Sequence, residues 1–187
     1  MSRRFYDAQA FHVGATASLG ESASHHIGKV LRMRVGDSMT LFNGEGGEYQ
    51  ATVSAVGKKV VEPSIVSFDA ADRCPPAAVT VALPFIKGER MDYAIQKATE
   101  LGAHRFQLLT CERSDVRLDG DRLEKKLGHL RQVAISACEQ CGMNRVPEFT
   151  PLLSFAELMR SCTSELKLLA HACAPRLQLD ADFPVLW

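Results

Sequence analysis

The sequence predicts a mixed α/β protein, α+β overall, built from a β-rich unit over residues 1–72 and a parallel-sheet α/β unit over residues 77–187. Two observations predict this division. Short alternating apolar runs fill the first unit, whereas continuous apolar strands alternate with helices in the second. The stretch "DAADRCPPAA" between them is typical of a linker, which Pro75 and Pro76 stiffen. A chain of 187 residues is long enough for two such units.

The strands of the first unit follow from turn residues. "SMTLFNGEGGEYQATVSAV" contains two β-like runs joined at Asn43-Gly44, and both residues tolerate the positive φ that a tight hairpin needs. "KKVVEPSIVSF" predicts a further strand pair or one bent strand, because Pro63 cannot donate to a central ladder. We predict a small β-barrel.

One short helix is predicted in this unit, over "SASHHIGKVLRM", with Ser22 or Ser24 as its N-cap. Helical spacing gives it an apolar face made of Ile27, Val30 and Leu31. The opposite face carries His25, His26, Lys29 and Arg32.

The second unit alternates strands and helices. "AVTVALP" is an apolar run typical of a strand buried on both faces. A helix follows in "GERMDYAIQKATELG", where Gly102 is a natural stop. Its core positions are Met91, Ala94, Ile95, Ala98 and Leu101. The rest predicts a strand in "RFQLLT", a long helix from about Asp121 to Cys141, a strand in "VPEFTP", a helix in "SFAELMRSC" and a fourth strand in "LKLLAH".

Composition and charge restrict the partners. The chain is 46% hydrophobic and 24% charged, with no apolar run near the roughly 20 residues that span a bilayer. We predict a cytoplasmic protein with reduced thiols and no membrane partner, because no signal-peptide pattern begins the chain. The net charge is zero, but residues 1–34 carry five basic residues against two acidic ones. This excess indicates either a footprint for phosphates or an ordinary solvated surface.

Cys138 and Cys141 form a C-x-x-C pair at the end of the long helix. A structural zinc site needs four ligands and no second pair exists, whereas a redox pair normally opens a helix. We predict no metal. Cys141 would complete the core stripe of the helix, with Cys138 beside it.

Polar residues follow several elements of the second unit. Lys87 and Arg90 flank a helix start that suits a phosphate, and Lys97 can pair with Glu100 at i, i+3. An ordinary solvated helix face is the alternative. The loops "ERSDVRL" and "GMNRVP" add further polar side chains. Taken together, these loops predict a nucleic-acid or nucleotide site on one edge of the sheet.

Several segments, in this order, resemble one family: "HHIGKVLRMRVGD", "LFNGEGGEY", "KGERMDYAIQKATELG", "ERSDVRL" and "EQCGMNRVP". The sequence is similar to the bacterial ribosomal RNA small-subunit methyltransferase E family of the SPOUT class, which methylates N3 of a uridine in 16S rRNA. The resemblance implies an RNA-binding PUA-like β-barrel and a SPOUT domain whose trefoil knot binds S-adenosylmethionine. It also implies 16S rRNA or the assembled small ribosomal subunit as partner, and a homodimer.

The resemblance also implies roles for individual residues. Arg113 and Arg145 are expected to hold the RNA and stabilise charge, and Glu139 or Glu100 to accept the N3 proton. His171 and Ala172 are expected near the cofactor. The expected RNA-binding residues are Arg3, Arg4, His25, His26, Lys29, Arg32, Arg34, Lys87, Arg90, Lys97, Ser114 and Asn144.

Two departures from the family pattern carry expectations. The Gly-Pro-Glu-Gly-Gly stretch that helps to build the cofactor pocket is absent, and "FPVLW" is like half of a buried strand. We therefore expect a C-terminally truncated, incomplete SPOUT domain without its knot, which binds S-adenosylmethionine poorly and is inactive. A non-catalytic RNA-binding module is the alternative. Met143 stands where the family commonly has Arg.

Overall fold

A computed structural model of the chain describes residues 3–86, 88–110 and 120–170. These residues form two sheets. The N-terminal sheet contains β1 (Arg4–Tyr6), β2 (Ser38–Phe42), β3 (Glu48–Val56) and β4 (Val61–Asp69), and the C-terminal sheet contains β5 (Val79–Pro84), β6 (Ala103–Thr110) and β7 (Glu148–Ser154). The helices are α1 (Glu21–His25), α2 (Glu89–Glu100), α3 (Gly120–Cys141) and α4 (Phe155–Ser161). None of the described helices is long and apolar enough to cross a membrane.

The N-terminal sheet has the order β1-β2-β3-β4. β2 and β3 form the antiparallel hairpin predicted at Asn43-Gly44, and β1 pairs in parallel with β2. β4 is one strand, and Pro63 lies opposite Val53 beside a register shift in β3. The shift interrupts the ladder where the proline cannot donate.

The predicted closed barrel is not found among the described residues. Residues 14–19 run along the outer edge of β4, where the Ala17 N–H donates to the Pro63 carbonyl at 3.0 Å. Side chains, rather than a strand ladder, join this segment to the end of β1. Asp7 accepts from the Gly20 N–H at 2.6 Å, and Gln9 donates to the Ser18 carbonyl at 2.9 Å. The sheet therefore curls without closing.

The helix of this unit differs from its prediction. Gly20 precedes α1 without a side-chain cap, and Ser24 is buried, where it donates to the Leu19 carbonyl and accepts from the Val61 N–H, each at 3.0 Å. α1 continues into a π-turn over His26–Val30, in which the Leu31 N–H donates to the His26 carbonyl. The wider turn rotates Val30 outward to 60% exposure, while Ile27 stays buried.

In the C-terminal unit β6 lies between β5 and β7, all three strands parallel. α2 and α3 pack against each other, and their buried faces share one core with the sheet. The prediction that "AVTVALP" is buried on both faces is wrong, because Val79 is 48% exposed in β5, which lies at an edge of the sheet formed by the described residues. The central strand β6 is the buried one.

Two further corrections concern element ends. Leu101 follows the last turn of α2 and is 82% exposed, so it does not belong to the core. The helix ends at Gly102 as predicted, with φ of 90°. Residues 166–170 form no strand, so "LKLLAH" is not the predicted fourth strand over its described part. The expected absence of the trefoil knot stays a prediction, because residues 171–187 lie outside the described part of the chain.

Candidate nucleic-acid interface

The two sheets are joined by a buried cluster of charges around Glu48. Arg4 forms an ion pair with Glu48, and Arg73 of the linker donates to the same carboxylate through Nε at 3.0 Å and Nη2 at 2.9 Å. Burial alone would raise the pKa of Glu48, but hydrogen bonds from Arg73 and Arg4 hold it below its usual value. Arg4 also donates to the Gly142 carbonyl at 3.0 Å. This bond connects β1 to the end of α3, and the Arg4 side chain that makes it is only 13% exposed.

The "GMNRVP" loop contacts the linker directly. Asn144 is fully buried, where its Nδ2 donates to the Ala71 carbonyl at 2.7 Å and its Oδ1 accepts from the Arg73 N–H at 3.1 Å. Arg145 donates to Asp72 at 2.6 Å, and this bond lowers the pKa of the Asp72 carboxyl. Asn144 is therefore inaccessible to an RNA, while Arg145 keeps 46% of its side-chain surface exposed.

Glu139 lies on α3 beside β1, where it accepts a hydrogen bond from the Tyr6 N–H at 3.0 Å. The carboxyl is half-buried. Burial raises its pKa, although the Tyr6 N–H and the nearby charges of His26 and Arg4 oppose this shift. A carboxylate with a raised pKa is a stronger base than an ordinary glutamate. In the structure the Glu139 carboxylate binds backbone, and its role as proton acceptor stays a prediction.

The described residues of the predicted site do not all lie on one sheet edge. Parallel strands place all their amino ends at one edge, so Glu100, which precedes β6, and Glu139 and Arg145, which precede β7, lie at the amino-end edge. β6 ends at Thr110 on the opposite edge. Its eight residues make seven steps of about 3.3 Å, which puts the edges roughly 23 Å apart. Arg90, in the first turn of α2 after the carboxyl end of β5, therefore does not share an edge with Arg145.

Five predicted site residues, namely Lys87, Arg113, Ser114, His171 and Ala172, lie outside the described residues. The roles predicted for these five residues therefore stay predictions, and none of the described residues is assigned to S-adenosylmethionine.

Lys97 and Glu100 form the predicted i, i+3 pair on α2, with Nζ and Oε2 2.7 Å apart. Gln96 also donates to Glu100 at 3.0 Å. The bond from Lys97 lowers the pKa of Glu100, and the same bond raises the pKa of Lys97. Glu100 is therefore a weaker base than Glu139. Arg90 is exposed in the first turn of α2, near the carboxyl end of β5.

Most of the other predicted RNA-binding residues are exposed on the N-terminal unit: Arg3, His25, Lys29, Arg32 and Arg34. Arg3 pairs with Asp37 at 3.5 Å. His26 differs, because it is partly buried with its ring edge-on to Phe5 at 5.6 Å. Sequence reasoning missed Lys58 and Lys59 in the β3–β4 turn, which line one cleft with His25 and Lys29. The "GKK" signal was visible, but its position beside α1 was not.

The burial of the two cysteines in the C-x-x-C pair is the reverse of the prediction. Cys138 is fully buried in the core of α3, whereas Cys141 is exposed. The Cys138 Sγ lies 3.4 Å from the Arg145 carbonyl, and burial raises its pKa to about 12. The described residues contain no group of three or more side chains that could hold a metal ion.

Comparisons with known proteins identify the family. An RNA methyltransferase domain family matches residues 73–180, and an RNA methyltransferase PUA domain family matches residues 19–62. The chain is 32% identical to the ribosomal RNA small subunit methyltransferase E of Bacillus subtilis, covering 86% of this chain and 63% of that protein. Its counterpart from Mycobacterium tuberculosis is 30% identical, with 87% and 62% covered.

Solved structures agree with this assignment. A methyltransferase of Legionella pneumophila in complex with S-adenosylmethionine is 34% identical, with a TM-score of 0.90 over 94% of this chain and 73% of that one. A ribosomal RNA small subunit methyltransferase E of Neisseria gonorrhoeae, also bound to S-adenosylmethionine, is 35% identical with a TM-score of 0.82, over 88% and 67%. This chain spans about three fifths of the length of the curated relatives it matches. The chain belongs to the ribosomal RNA small subunit methyltransferase E family.

Proposed function

We propose that this protein transfers a methyl group from S-adenosylmethionine to N3 of a uridine in 16S rRNA. In this proposal residues 1–72 bind the RNA, as a free rRNA or in the small ribosomal subunit, and residues 77–187 belong to the methyl-transfer unit. The protein would act in the cytoplasm as a homodimer. The observation that carries the proposal is the likeness, over 94% of this chain, to a methyltransferase that holds S-adenosylmethionine.

The reaction makes specific demands on the protein. N3 of uridine carries a proton and attacks only after losing it, so the enzyme must expose the base, accept this proton and stabilise the ring anion. S-adenosylmethionine supplies the electrophilic methyl group. The residues of this chain bind and orient the RNA, and the exposed cations of the N-terminal unit support that role.

The geometry supports a refined division of labour among the predicted catalytic residues. Glu139 and Arg145 are engaged with Tyr6 and Asp72, at the amino-end edge. We propose that they fix β1 and the linker to the methyl-transfer unit, and that Arg145 can also reach RNA with its exposed surface. Glu100 is a poor proton acceptor because its bond to Lys97 stabilises its charge. Arg113 remains the predicted stabiliser of the uridine anion.

Deletion of the gene tests the reaction. The 16S rRNA of the source organism should lose one 3-methyluridine, measured by mass spectrometry of nuclease fragments, and a plasmid copy of the gene should restore it. Persistence of every 3-methyluridine would contradict the proposal. Loss of a different modified nucleoside would retain the methyltransferase and refute the uridine N3 specificity.

Cofactor binding by these 187 residues is a separate proposal. We propose that they do not bind S-adenosylmethionine tightly, because the Gly-Pro-Glu-Gly-Gly stretch is not among them. Isothermal titration with S-adenosylmethionine should show no micromolar binding, and micromolar affinity would contradict the proposal. RNA binding by the same sample without cofactor would favour the alternative of a non-catalytic RNA-binding module for this chain.

A further inference from the structure

A cleft of about 180 Å³ lies between α1 with its π-turn and the turn from β3 to β4. His25 and Lys29 line it from the helical side, and Lys58 and Lys59 line it from the turn. Glu21 is the one carboxylate in the lining, and the His25 imidazole is its one aromatic ring. Three lysines against one glutamate leave the cleft positively charged.

The lysines of this cleft are available for a ligand. Lys29, Lys58 and Lys59 are exposed, and none of them forms an ion pair or side-chain hydrogen bond within residues 3–86, 88–110 and 120–170. By contrast, Lys97 pairs with Glu100 and Lys126 pairs with Asp92. The charges of Lys29, Lys58 and Lys59 are therefore not neutralised by an ion pair within the described residues.

Hydrogen bonds hold the two walls of the cleft in place. The Gly57 N–H donates to the Val60 carbonyl at 2.8 Å and closes the β3–β4 turn. On the other wall, the buried Ser24 hydroxyl accepts from the Val61 N–H at 3.0 Å, which fixes α1 to β4 directly after that turn. The lysine stems thus emerge from backbone positions that need no rearrangement on binding.

We propose that this cleft binds the phosphodiester backbone of RNA, with Lys29, Lys58 and Lys59 contacting adjacent phosphates. This inference rests on the proposed function and extends its RNA surface to the β3–β4 turn. Lysine ammonium groups are point charges suited to phosphates, and the three lysines outnumber the single ring, that of His25, on which a base could stack. The cleft therefore contributes affinity and orientation without reading sequence.

The test measures binding of a fluorescent 16S rRNA fragment to this chain by anisotropy, at several salt concentrations. Replacing Lys58 and Lys59 together by Gln should weaken binding by roughly ten- to fiftyfold at 0.1 M salt and reduce the slope of log K against log salt by about 1.4. The matched control removes two exposed charges from α3, by Arg122→Gln with Lys125→Gln, and should bind as the parent does.

The outcomes separate this inference from the function on which it rests. If the parent chain does not bind RNA, the proposed RNA-binding role of residues 1–72 fails, and the inference fails with it. If the parent binds and the Lys58/Lys59 variant binds equally with the same salt slope, only the cleft is refuted. If that variant loses affinity for polyglutamate but not for RNA, the cleft serves an acidic protein partner and the inference is wrong.

Discussion

Asn144 holds the linker to the end of α3, because its Oδ1 accepts the backbone N–H of Arg73 at 3.1 Å. Its other end donates to the Ala71 carbonyl at 2.7 Å, so one buried side chain satisfies two backbone groups of a segment without regular structure. Arg73 in turn reaches Glu48 in the N-terminal sheet. A continuous chain of polar contacts therefore connects the two sheets.

Replacing Asn144 by Ala should destabilise the protein by about 1–3 kcal/mol, because a fully buried side chain is truncated and two part-buried backbone groups lose their partners. The measurement is the free energy of unfolding from urea titration. Gln50→Ala is the control, since Gln50 is exposed and makes one long bond with Thr40 at 3.4 Å. Equal unfolding free energies for the two variants would show that the bonds of Asn144 to the linker do not stabilise the protein.

Two glycines should respond in opposite directions to the same substitution. Gly102 has φ of 90°, and an added Cβ would lie 2.4 Å from Cγ of Pro75 in the linker. Gly102→Ala should therefore cost about 1–3 kcal/mol, through both strain and collision. Gly128 lies within α3 with open space at its Cβ position, so Gly128→Ala should stabilise by roughly 0.5–1 kcal/mol.

Thermal unfolding of both glycine variants beside the parent checks this pair. The melting temperature should fall for the alanine at position 102 and rise for the alanine at position 128. If both variants melt at lower temperature, Gly128 does not lower the stability of α3 and that half of the prediction is wrong. If Gly102→Ala leaves the melting temperature unchanged, the contact between the end of α2 and the linker is not formed in solution.

Local patterns predicted the elements better than their surroundings. The hairpin between β2 and β3, the stop at Gly102 and the pairing of Lys97 with Glu100 depend on residues near in sequence, and all three are confirmed. The hairpin loop is longer than a tight Asn43-Gly44 turn, because it spans residues 43–47, and its positive φ values fall on the glycines rather than on Asn43. The predicted burial of Val79 is wrong because an apolar run does not reveal which other elements pack against the strand. The π-turn after α1 exposes Val30 for a similar reason, since a 3.6-residue period cannot represent it.

The site was harder to predict because its residue types serve two purposes. Arginine and asparagine side chains suit RNA, yet Arg4 and Asn144 bind partners within the protein that are 44 or more residues away in sequence. Nothing in "GMNRVP" identifies Ala71 or Asp72 as partners. Lys58 and Lys59 were missed for the converse reason, because a hairpin turn gains its meaning only from the helix that lies beside it.

The two cysteines of the C-x-x-C pair should differ in reactivity. Cys141 is exposed, whereas Cys138 is buried and its pKa is raised to about 12, so almost none of it is thiolate at pH 8. Iodoacetamide at pH 8 should label Cys141 at least tenfold faster, measured by peptide mass spectrometry over time. Cys141→Ser should leave Cys138 unlabelled in the folded protein and fully labelled in urea. Equal labelling rates in the folded parent would refute the assigned burial.

Glu139 should make the stability of the protein depend on pH. Burial raises the pKa of its carboxyl above the usual value of 4.5, so the folded state holds this proton more tightly than the unfolded state does. The stability that the protonated Glu139 carboxyl contributes is then lost as pH rises from 4.5 through the raised pKa. Above that pKa this contribution is gone. Glu139→Gln keeps an oxygen that can accept the Tyr6 N–H but cannot ionise. The variant should therefore gain stability relative to the parent between pH 4.5 and pH 7.5.

Urea unfolding of the parent, Glu139→Gln and the exposed control Glu124→Gln at both pH values measures this difference. The gap between Glu139→Gln and the parent should move in favour of the variant at pH 7.5, while Glu124→Gln should follow the parent at both. A gap that moves in favour of the parent would mean that the charges of Arg4 and His26 outweigh burial at this carboxyl. Arg4 and His26 would then keep Glu139 ionised. Its predicted role as a proton acceptor would lose the raised pKa on which it depends.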